Sequence, residues 1–198
     1  MRGDWRYLEG RKHYDRAELK AATGKPSDAL PDYIRAFAVL QEAREIDPLN
    51  HNAYLYEGLA HMRFAEITPA VRKAFWESAL DRFTRGHRVH PQFPYLAMYA
   101  GEVTDYLARY DKARFAEAEA WHQKALEWGS GNRQVNYIYG DHLLMTRQWQ
   151  KAMDYYVPTL HKNRGWLRAE IQSKIDVCVE MILKERTASD EALKTGPK

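Results

Sequence analysis

Apolar residues along this chain recur three and four positions apart, which is the spacing of one face of an α-helix. Within these segments a glycine returns four times, at Gly10, Gly58, Gly101 and Gly140, each with an aromatic residue one to three positions before it. A glycine inside a helix costs about 1 kcal/mol relative to alanine, so a repeated glycine needs a structural reason. Close approach of a second helix supplies one, because the missing side chain leaves room for a neighbour.

A second pattern follows each glycine: a small residue, a bulky residue four positions later, and another small residue three positions after that. Its four copies are Ala36/Leu40/Ala43, Ala79/Phe83/Gly86, Ala118/His122/Ala125 and Ala152/Tyr156/Thr159. These offsets place the three residues on one face of a helix. Each glycine and its small–bulky–small face therefore predict an antiparallel pair of helices. Pro48 and Pro91 follow the first two pairs, where proline cannot continue a helix.

These units resemble the tetratricopeptide repeat, a family that carries Gly or Ala in the first helix of each repeat, Ala–aromatic–Ala in the second, and proline at the end. The best match is the fourth unit, where Gly140 and Ala152 stand 12 residues apart, the standard spacing of the family. The resemblance covers about residues 4–164. It implies an all-α fold: a right-handed α-solenoid of about four antiparallel helix pairs with a C-terminal capping helix.

The repeats follow one another within a single predicted domain, residues 1–186. Their expected bounds are about 4–48, 50–91, 94–130 and 133–164. The distance from the glycine to the first alanine falls from 26 to 21, 17 and 12 residues, so the N-terminal pairs are expected to have the longest helices. An apolar stripe from Leu167 to Ile182 predicts a capping helix over 165–186. Residues 187–198 lack apolar surface and are expected to form a mobile tail.

In the resembled family the first helices line a concave groove, and counting from each glycine gives the residues expected there. They are Tyr7, Arg11, Tyr14, Leu55, Leu59, Met62, Met98, Glu102, Asp105, Tyr106, Tyr137, Asp141 and Leu144. This lining is aromatic and aliphatic with acidic points, and it fits a hydrophobic helix or extended segment that carries basic residues. The alternative for each of these side chains is packing against a neighbouring helix.

One stretch of the chain occurs almost twice, so that Glu9 and His13 are repeated as Glu57 and His61. Carboxylate and imidazole groups are ligands for zinc or iron. Equivalent positions on successive helices lie about 9–10 Å apart, however, which is too far for the four groups to share one ion. We therefore interpret them as structural pairs within a helix, worth a few tenths of a kcal/mol, and expect neither a metal nor another cofactor.

Composition excludes several classes of function. A net charge of +3 with interspersed acidic residues does not resemble a nucleic-acid-binding surface. No apolar run reaches the ~18 residues of a membrane span, so membrane insertion is not expected. The single cysteine, Cys178, rules out an intrachain disulfide. Motifs for haem attachment, zinc hydrolysis, phosphate binding or a serine nucleophile are missing, so no enzymatic activity is expected.

The sequence thus predicts a noncatalytic scaffold that binds a peptide or helix of a partner protein. One alternative is self-assembly, in which an uncapped first helix stacks on another copy, giving a ring or filament; its outward-facing candidates are Trp5, Tyr7, Leu8, Tyr14 and Leu19. Another is an accessory domain of a bacterial envelope machine, because a Trp/Tyr-rich terminal hairpin is similar to those attached to surface-polysaccharide enzymes. With no apolar leader after Met1, the expected compartment is the cytoplasm, or the periplasm or exterior if a leader has been removed.

Overall fold

The computed structural model describes residues 2–161 and 165–194, and every regular element within these ranges is helical. The α-helices are α1 (Arg2–Thr23), α2 (Leu30–Ile46), α3 (His51–Ile67), α4 (Arg72–Val89), α5 (Pro94–Leu107), α6 (Arg114–Gly129), α7 (Arg133–Met145), α8 (Trp149–His161) and α9 (Gly165–Lys194). Short 3-10 turns precede α2 at Pro26–Ala29 and α4 at Pro69–Val71. The predicted all-α fold is confirmed. None of the described helices combines the length and apolar character that a membrane crossing requires.

The chain divides into two compact units, Met1–Trp128 and Gly129–Lys198, where the sequence analysis treats residues 1–186 as one domain. The first unit holds the antiparallel pairs α1/α2, α3/α4 and α5/α6. The second holds the pair α7/α8, with α9 packed on α8.

Capping side chains and a proline mark the starts of three helices. Asn50 precedes α3 and its side chain accepts a hydrogen bond from the backbone N–H of Ala53 at 3.3 Å. Asn132 does the same for α7, accepting from Gln134 N–H at 2.8 Å. Such side chains satisfy N–H groups that have no partner inside the first turn. Pro94 opens α5, at a position where the missing N–H costs nothing.

Each repeat glycine lies directly against the bulky residue of the second helix in its pair. The four pairs are Gly10/Leu40, Gly58/Phe83, Gly101/His122 and Gly140/Tyr156. A Cβ added to the glycine would lie 2.5 or 2.6 Å from the bulky side chain, closer than carbon atoms approach without displacement. The small residues on either side of each bulky residue are all buried. The predicted contact between glycine and small–bulky–small face is therefore confirmed in every pair.

The two helices of each pair together become shorter along the chain, as the spacing predicts. The first helices of the four pairs have 22, 17, 14 and 13 residues, and the second helices have 17, 18, 16 and 13. In the first pair the extra residues are divided between α1 and the connection, where Gly24 and Lys25 lead into the 3-10 turn before α2.

The closing helix α9 covers α8 with Ile171, Ile175 and Cys178, all of which are buried. Burial raises the pKa of the Cys178 thiol, which makes it less reactive at neutral pH. The helix continues to Lys194, beyond the predicted end of the cap at residue 186. Residues 162–164, at the end of the fourth predicted repeat, and residues 195–198, at the end of the predicted tail, lie outside the described residues.

Candidate partner-binding face

Ten of the predicted groove residues lie on α1, α3 and α5, first helices that pack side by side in the first unit. Six of the ten are buried: Tyr14, Leu55, Leu59, Met62, Met98 and Asp105. These six belong to the core, so the packing role that the sequence left open applies to them. Tyr7, Glu102 and Tyr106 are half-buried and Arg11 is exposed, so these four remain accessible.

A partly different set of side chains reaches solvent on these three helices, and we call it the tyrosine face. It consists of Tyr7, Arg11, Tyr56, Arg63, Tyr99, Glu102 and Tyr106. The rings of Tyr7 and Tyr56 lie 5.9 Å apart, centre to centre, and join α1 to α3. The Arg11 guanidinium lies 5.0 Å from the centre of the Tyr56 ring, in a cation–π contact.

Arg63 on α3 links this helix to α1 electrostatically. Its guanidinium lies 3.0 Å from Glu66 and 3.8 Å from Glu18 on α1. Burial opposes its charge, but Glu66, Tyr14 and Glu18 together raise the pKa of Arg63, so it stays cationic. On α5, burial and the carboxylate of Glu102, which accepts the Tyr106 hydroxyl at 2.7 Å, raise the pKa of Tyr106. The hydroxyl of this tyrosine is therefore protonated at neutral pH.

A cleft of about 390 Å³ opens beside Arg63, between α1, the 3-10 turn before α2, and α3. Its lining consists of Glu18, Ala21, Ala22, Pro26, Tyr33, Arg63, Glu66 and Ile67. The hydroxyl of Tyr33 donates a hydrogen bond to Glu18 within this lining. Apolar walls with two carboxylates and one guanidinium at the rim suit an apolar side chain that is followed by a cation.

Counting from the glycines missed Tyr56, Arg63 and Tyr99, which lie two positions before or five after the glycine. The prediction used the positions three before, one after and four after each glycine, and five after only for Tyr106. One position turns a helix by about 100°. The residue types at these positions could have indicated which side chains are exposed. Tyrosine and arginine combine apolar surface with a polar tip and suit half-exposed positions, whereas leucine and methionine favour full burial.

In the second unit the predicted groove residues Tyr137, Asp141 and Leu144 are half-buried, and the first two contact α9. The Asp141 carboxylate accepts two hydrogen bonds from Lys174, at 2.7 and 2.8 Å. Burial raises the pKa of Asp141, and Lys174 offsets part of this shift. The Tyr137 hydroxyl donates to Glu170 at 2.5 Å. These polar groups already have partners within the chain.

The candidate metal ligands do not converge. Glu57 accepts hydrogen bonds from Arg44 at 3.0 Å and Arg82 at 2.7 Å, while its helical neighbour His61 is 4.0 Å away. Glu9 pairs with an arginine on its own helix, and His13 Nδ1 lies 3.8 Å from an aspartate on α2. None of Glu9, His13, Glu57 and His61 belongs, within the described residues, to a group of three ligand atoms close enough to hold an ion.

His61 should make stability depend on pH. Burial, with a contribution from Arg82, lowers its pKa from 6.5 to about 4. Between these pH values the unfolded chain binds more protons at this site than the folded chain, so the free energy of unfolding falls as pH decreases. The loss contributed by His61 should reach about 2 kcal/mol at pH 5. Urea titrations at pH 7.5 and 5 measure it.

A variant of this histidine separates its effect from that of other titrating groups. His61 stacks on Phe37 at 4.7 Å and lies 5.5 Å from Phe75, so His61→Phe keeps an aromatic ring in the same space. The variant should lose less stability than the wild-type chain over the same pH range. An identical loss in both proteins would contradict the assignment.

Comparison with one solved structure, the MamA protein, supports the fold. No protein-family model matches the chain, and no similar curated protein is found. Among solved structures, the chain is similar to the MamA protein, with 14% identity, coverage of 96% of each chain and a TM-score of 0.53. It is also similar to TTC0263, a thermophilic TPR protein of Thermus thermophilus, with 14% identity, coverage of 86% of this chain and 98% of that one, and a TM-score of 0.48.

Proposed function

We propose that this chain, which has a tetratricopeptide-like helical repeat fold, is a noncatalytic scaffold that holds a segment of another protein on its tyrosine face. The observation that carries the proposal is the set of partly exposed tyrosines on three neighbouring first helices: Tyr7, Tyr56, Tyr99 and Tyr106. Tyrosine offers a large apolar ring at a small cost in conformational entropy, together with a hydroxyl for hydrogen bonds, and it is enriched where proteins bind one another.

Charge on this face indicates the chemistry of the partner. Three cations lie on or beside this face: Arg11, Arg63 and Arg109. Four carboxylates accompany them, Asp15, Glu18, Glu66 and Glu102, so the surface is mildly acidic. Arg63 neutralises only part of the negative charge of Glu18 and Glu66, the two carboxylates beside the cleft. The partner segment is therefore apolar along the tyrosines and carries a lysine or arginine that reaches the cleft.

The test begins with a random peptide library selected for binding to the full chain. We expect selected peptides to be rich in apolar residues with at least one lysine or arginine. Removing the ring in Tyr56→Ala or Tyr99→Ala should weaken a selected peptide about ten-fold or more, as measured by fluorescence anisotropy, because each ring is an expected centre of the contact. Thermal melts of each variant establish that the fold is intact.

Tyr110 provides the matched control, because it is an exposed tyrosine that lies outside this face, just beyond the end of α5. Tyr110→Ala should leave the affinity within two-fold of wild type, roughly the precision of the measurement. Peptides that bind all three variants equally well, or a library that yields no binder, would refute the tyrosine face as the binding site.

Self-association is the second candidate function, and one observation favours it. On α1 the side chains of Trp5, Leu8 and Leu19 are 62%, 56% and 63% exposed. Three large apolar side chains on one helix therefore face water, and covering them with another copy would be favourable. A particle mass that grows with concentration in light scattering would support self-association. A monomer at high micromolar concentration would count strongly against it.

A further inference from the structure

The packing of α2 on α3 depends on two side chains that lie seven residues apart. The Phe37 ring stacks on His61 at 4.7 Å with an angle of 7° between the rings, and Arg44 Nε donates to Glu57 at 3.0 Å. Seven residues are about two helical turns, so Phe37 and Arg44 lie on the same face of α2. An aromatic ring and a guanidinium of α2 thus contact a histidine and a glutamate of α3.

Helix α1 carries a glutamate and a histidine at the same offsets from its glycine as α3 does. Glu9 and His13 stand one position before and three positions after Gly10, as Glu57 and His61 do around Gly58. The partner helix of α1 is α2, and it offers Glu9 no arginine. Arg82 stands three positions after Ala79 on α4, and the same position after Ala36 on α2 holds Val39. Glu9 instead forms an ion pair with Arg6 of its own helix, at 2.8 Å. The Nδ1 atom of His13 is buried without a hydrogen-bond partner.

On α3 and α5, the residues at positions equivalent to the exposed side of α1 are buried. Trp5 and Lys12 are exposed, whereas the residues at the same offsets from Gly58 and Gly101 are fully buried. These counterparts are Ala53 and Ala60 on α3, and Leu96 and Val103 on α5. On α1 an open surface depression of about 660 Å³ is found instead, lined by Arg11, Asp15 and six further residues: Trp5, Leu8, Glu9, Lys12, His13 and Arg16. We call these six residues the α1 docking surface.

We propose that the α1 docking surface binds an α-helix of another protein that carries an aromatic residue followed seven positions later by an arginine. The aromatic ring stacks on His13 and the guanidinium binds Glu9, so the helix runs antiparallel to α1, as α2 runs to α3. Two differences from the α3 template add charge: Lys12 replaces Ala60 and Arg16 replaces Phe64. The partner helix therefore also carries acidic residues on the side that faces these cations.

A second copy of this chain does not supply such a helix. An aromatic residue is followed by arginine at this spacing in three places: Phe37/Arg44, Tyr56/Arg63 and Phe75/Arg82. The first and third pairs already contact His61 and Glu57. In the second pair the Tyr56 ring packs on Tyr7 and Tyr14 of α1, and Arg63 pairs with Glu18 and Glu66. Residues 1–198 of a second copy therefore leave no such pair free for this surface. This inference concerns a second surface, which meets the tyrosine face at Arg11, and it does not rest on the proposed function of that face.

The probe is a synthetic peptide with the sequence of α2, residues 30–46, because α2 contains the required pair and packs on the equivalent surface of α3. Gln41→Lys allows a lactam to Glu45, since both positions are exposed and one turn apart, and the ring holds the peptide helical. Binding to the full chain is followed by fluorescence anisotropy. We expect saturable binding that weakens about ten-fold when the peptide carries F37A or R44A.

Variants of the protein locate the binding site. Glu9→Gln and His13→Ala should each weaken the unmodified peptide about ten-fold. Glu117→Gln, which removes an exposed carboxylate from α6, is the matched control and should change nothing. Trp5→Ala tests the same surface through an exposed residue whose loss does not threaten the fold. Thermal melts confirm folding of every variant.

Three results would overturn the proposal. The first is no saturable binding of the lactam peptide. The second is binding that is unchanged by Glu9→Gln, His13→Ala and Trp5→Ala, which would place the peptide elsewhere, for example in exchange with α2 itself. The third is a dimer in light scattering that Trp5→Ala dissociates, because a second copy would then occupy the surface.

Discussion

Gly58→Val should destabilise the first unit by about 3 kcal/mol, which is at the upper end of the usual cost of overpacking a core. The reason is steric. A Cβ at this position would lie 2.5, 2.8 and 2.9 Å from three carbon atoms of the Phe83 ring, and valine adds two further carbons. Phe83 is fully buried in a close-packed core, so α3 and α4 must separate. Urea denaturation monitored by circular dichroism measures the change in the free energy of unfolding.

Two controls show whether the contact, and not the loss of glycine, is responsible. Gly131→Ala should change stability by less than about 0.5 kcal/mol, because a Cβ there has no atom within 4 Å. Combining Gly58→Ala with Phe83→Leu should cost less than the sum of the single changes, since the smaller side chain makes room for the methyl group. Strict additivity would mean that the two residues do not determine the distance between the helices.

The helix pairs could be predicted because their signal is local and steric. Spacings of three, four and seven residues decide which side chains share a helical face, and a glycine that recurs before each bulky residue indicates a close contact between two helices. Those four contacts appear in the structure at the predicted residues. The shortening of the helix pairs along the chain followed from the same spacing, because the residues between the glycine and the alanine must be divided between two helices and one connection.

The partner-binding face was predicted less well, because it depends on contacts between residues distant in the sequence. Leu55, Leu59 and Met62 lie next to the exposed stripe of α3, and only the packing of neighbouring helices decides which of two adjacent stripes is covered. The acidic positions show the same difficulty. Asp105 lies 2.9 Å from the buried His122, and Asp141 accepts a hydrogen bond from the buried Tyr156.

These last two contacts explain why the bulky position is polar in the third and fourth pairs. A buried imidazole or phenol group requires a hydrogen-bond partner, and in each pair an aspartate on the first helix supplies it. The bulky residue of the first two pairs is Leu40 or Phe83, which needs no such partner. Asp105 and Asp141, which look like part of a binding surface in the sequence, are thus part of the packing of their own helix pairs.

Glu57→Gln should destabilise the chain by about 3–5 kcal/mol, the range observed when one partner of a buried ion pair is removed. The Glu57 side chain is 1% exposed and binds two guanidinium groups, Arg44 from α2 and Arg82 from α4, whose side chains are 14% and 19% exposed. Glutamine keeps the volume but loses the charge, so two largely buried cations would lose the carboxylate between them. The free energy of unfolding in urea at pH 7.5 measures the cost.

The comparison with an exposed pair decides whether burial causes this cost. Glu180 and Lys184 on α9 form a contact of 2.6 Å with both side chains 63% exposed, and Glu180→Gln should leave the free energy of unfolding nearly unchanged. Replacing Arg44 and Arg82 by methionine and Glu57 by leucine should recover much of the stability lost in Glu57→Gln, because apolar residues leave no charge unpaired. If Glu57→Gln costs no more than Glu180→Gln, the three helices do not depend on this carboxylate, and Glu9 would lose its template for binding an arginine.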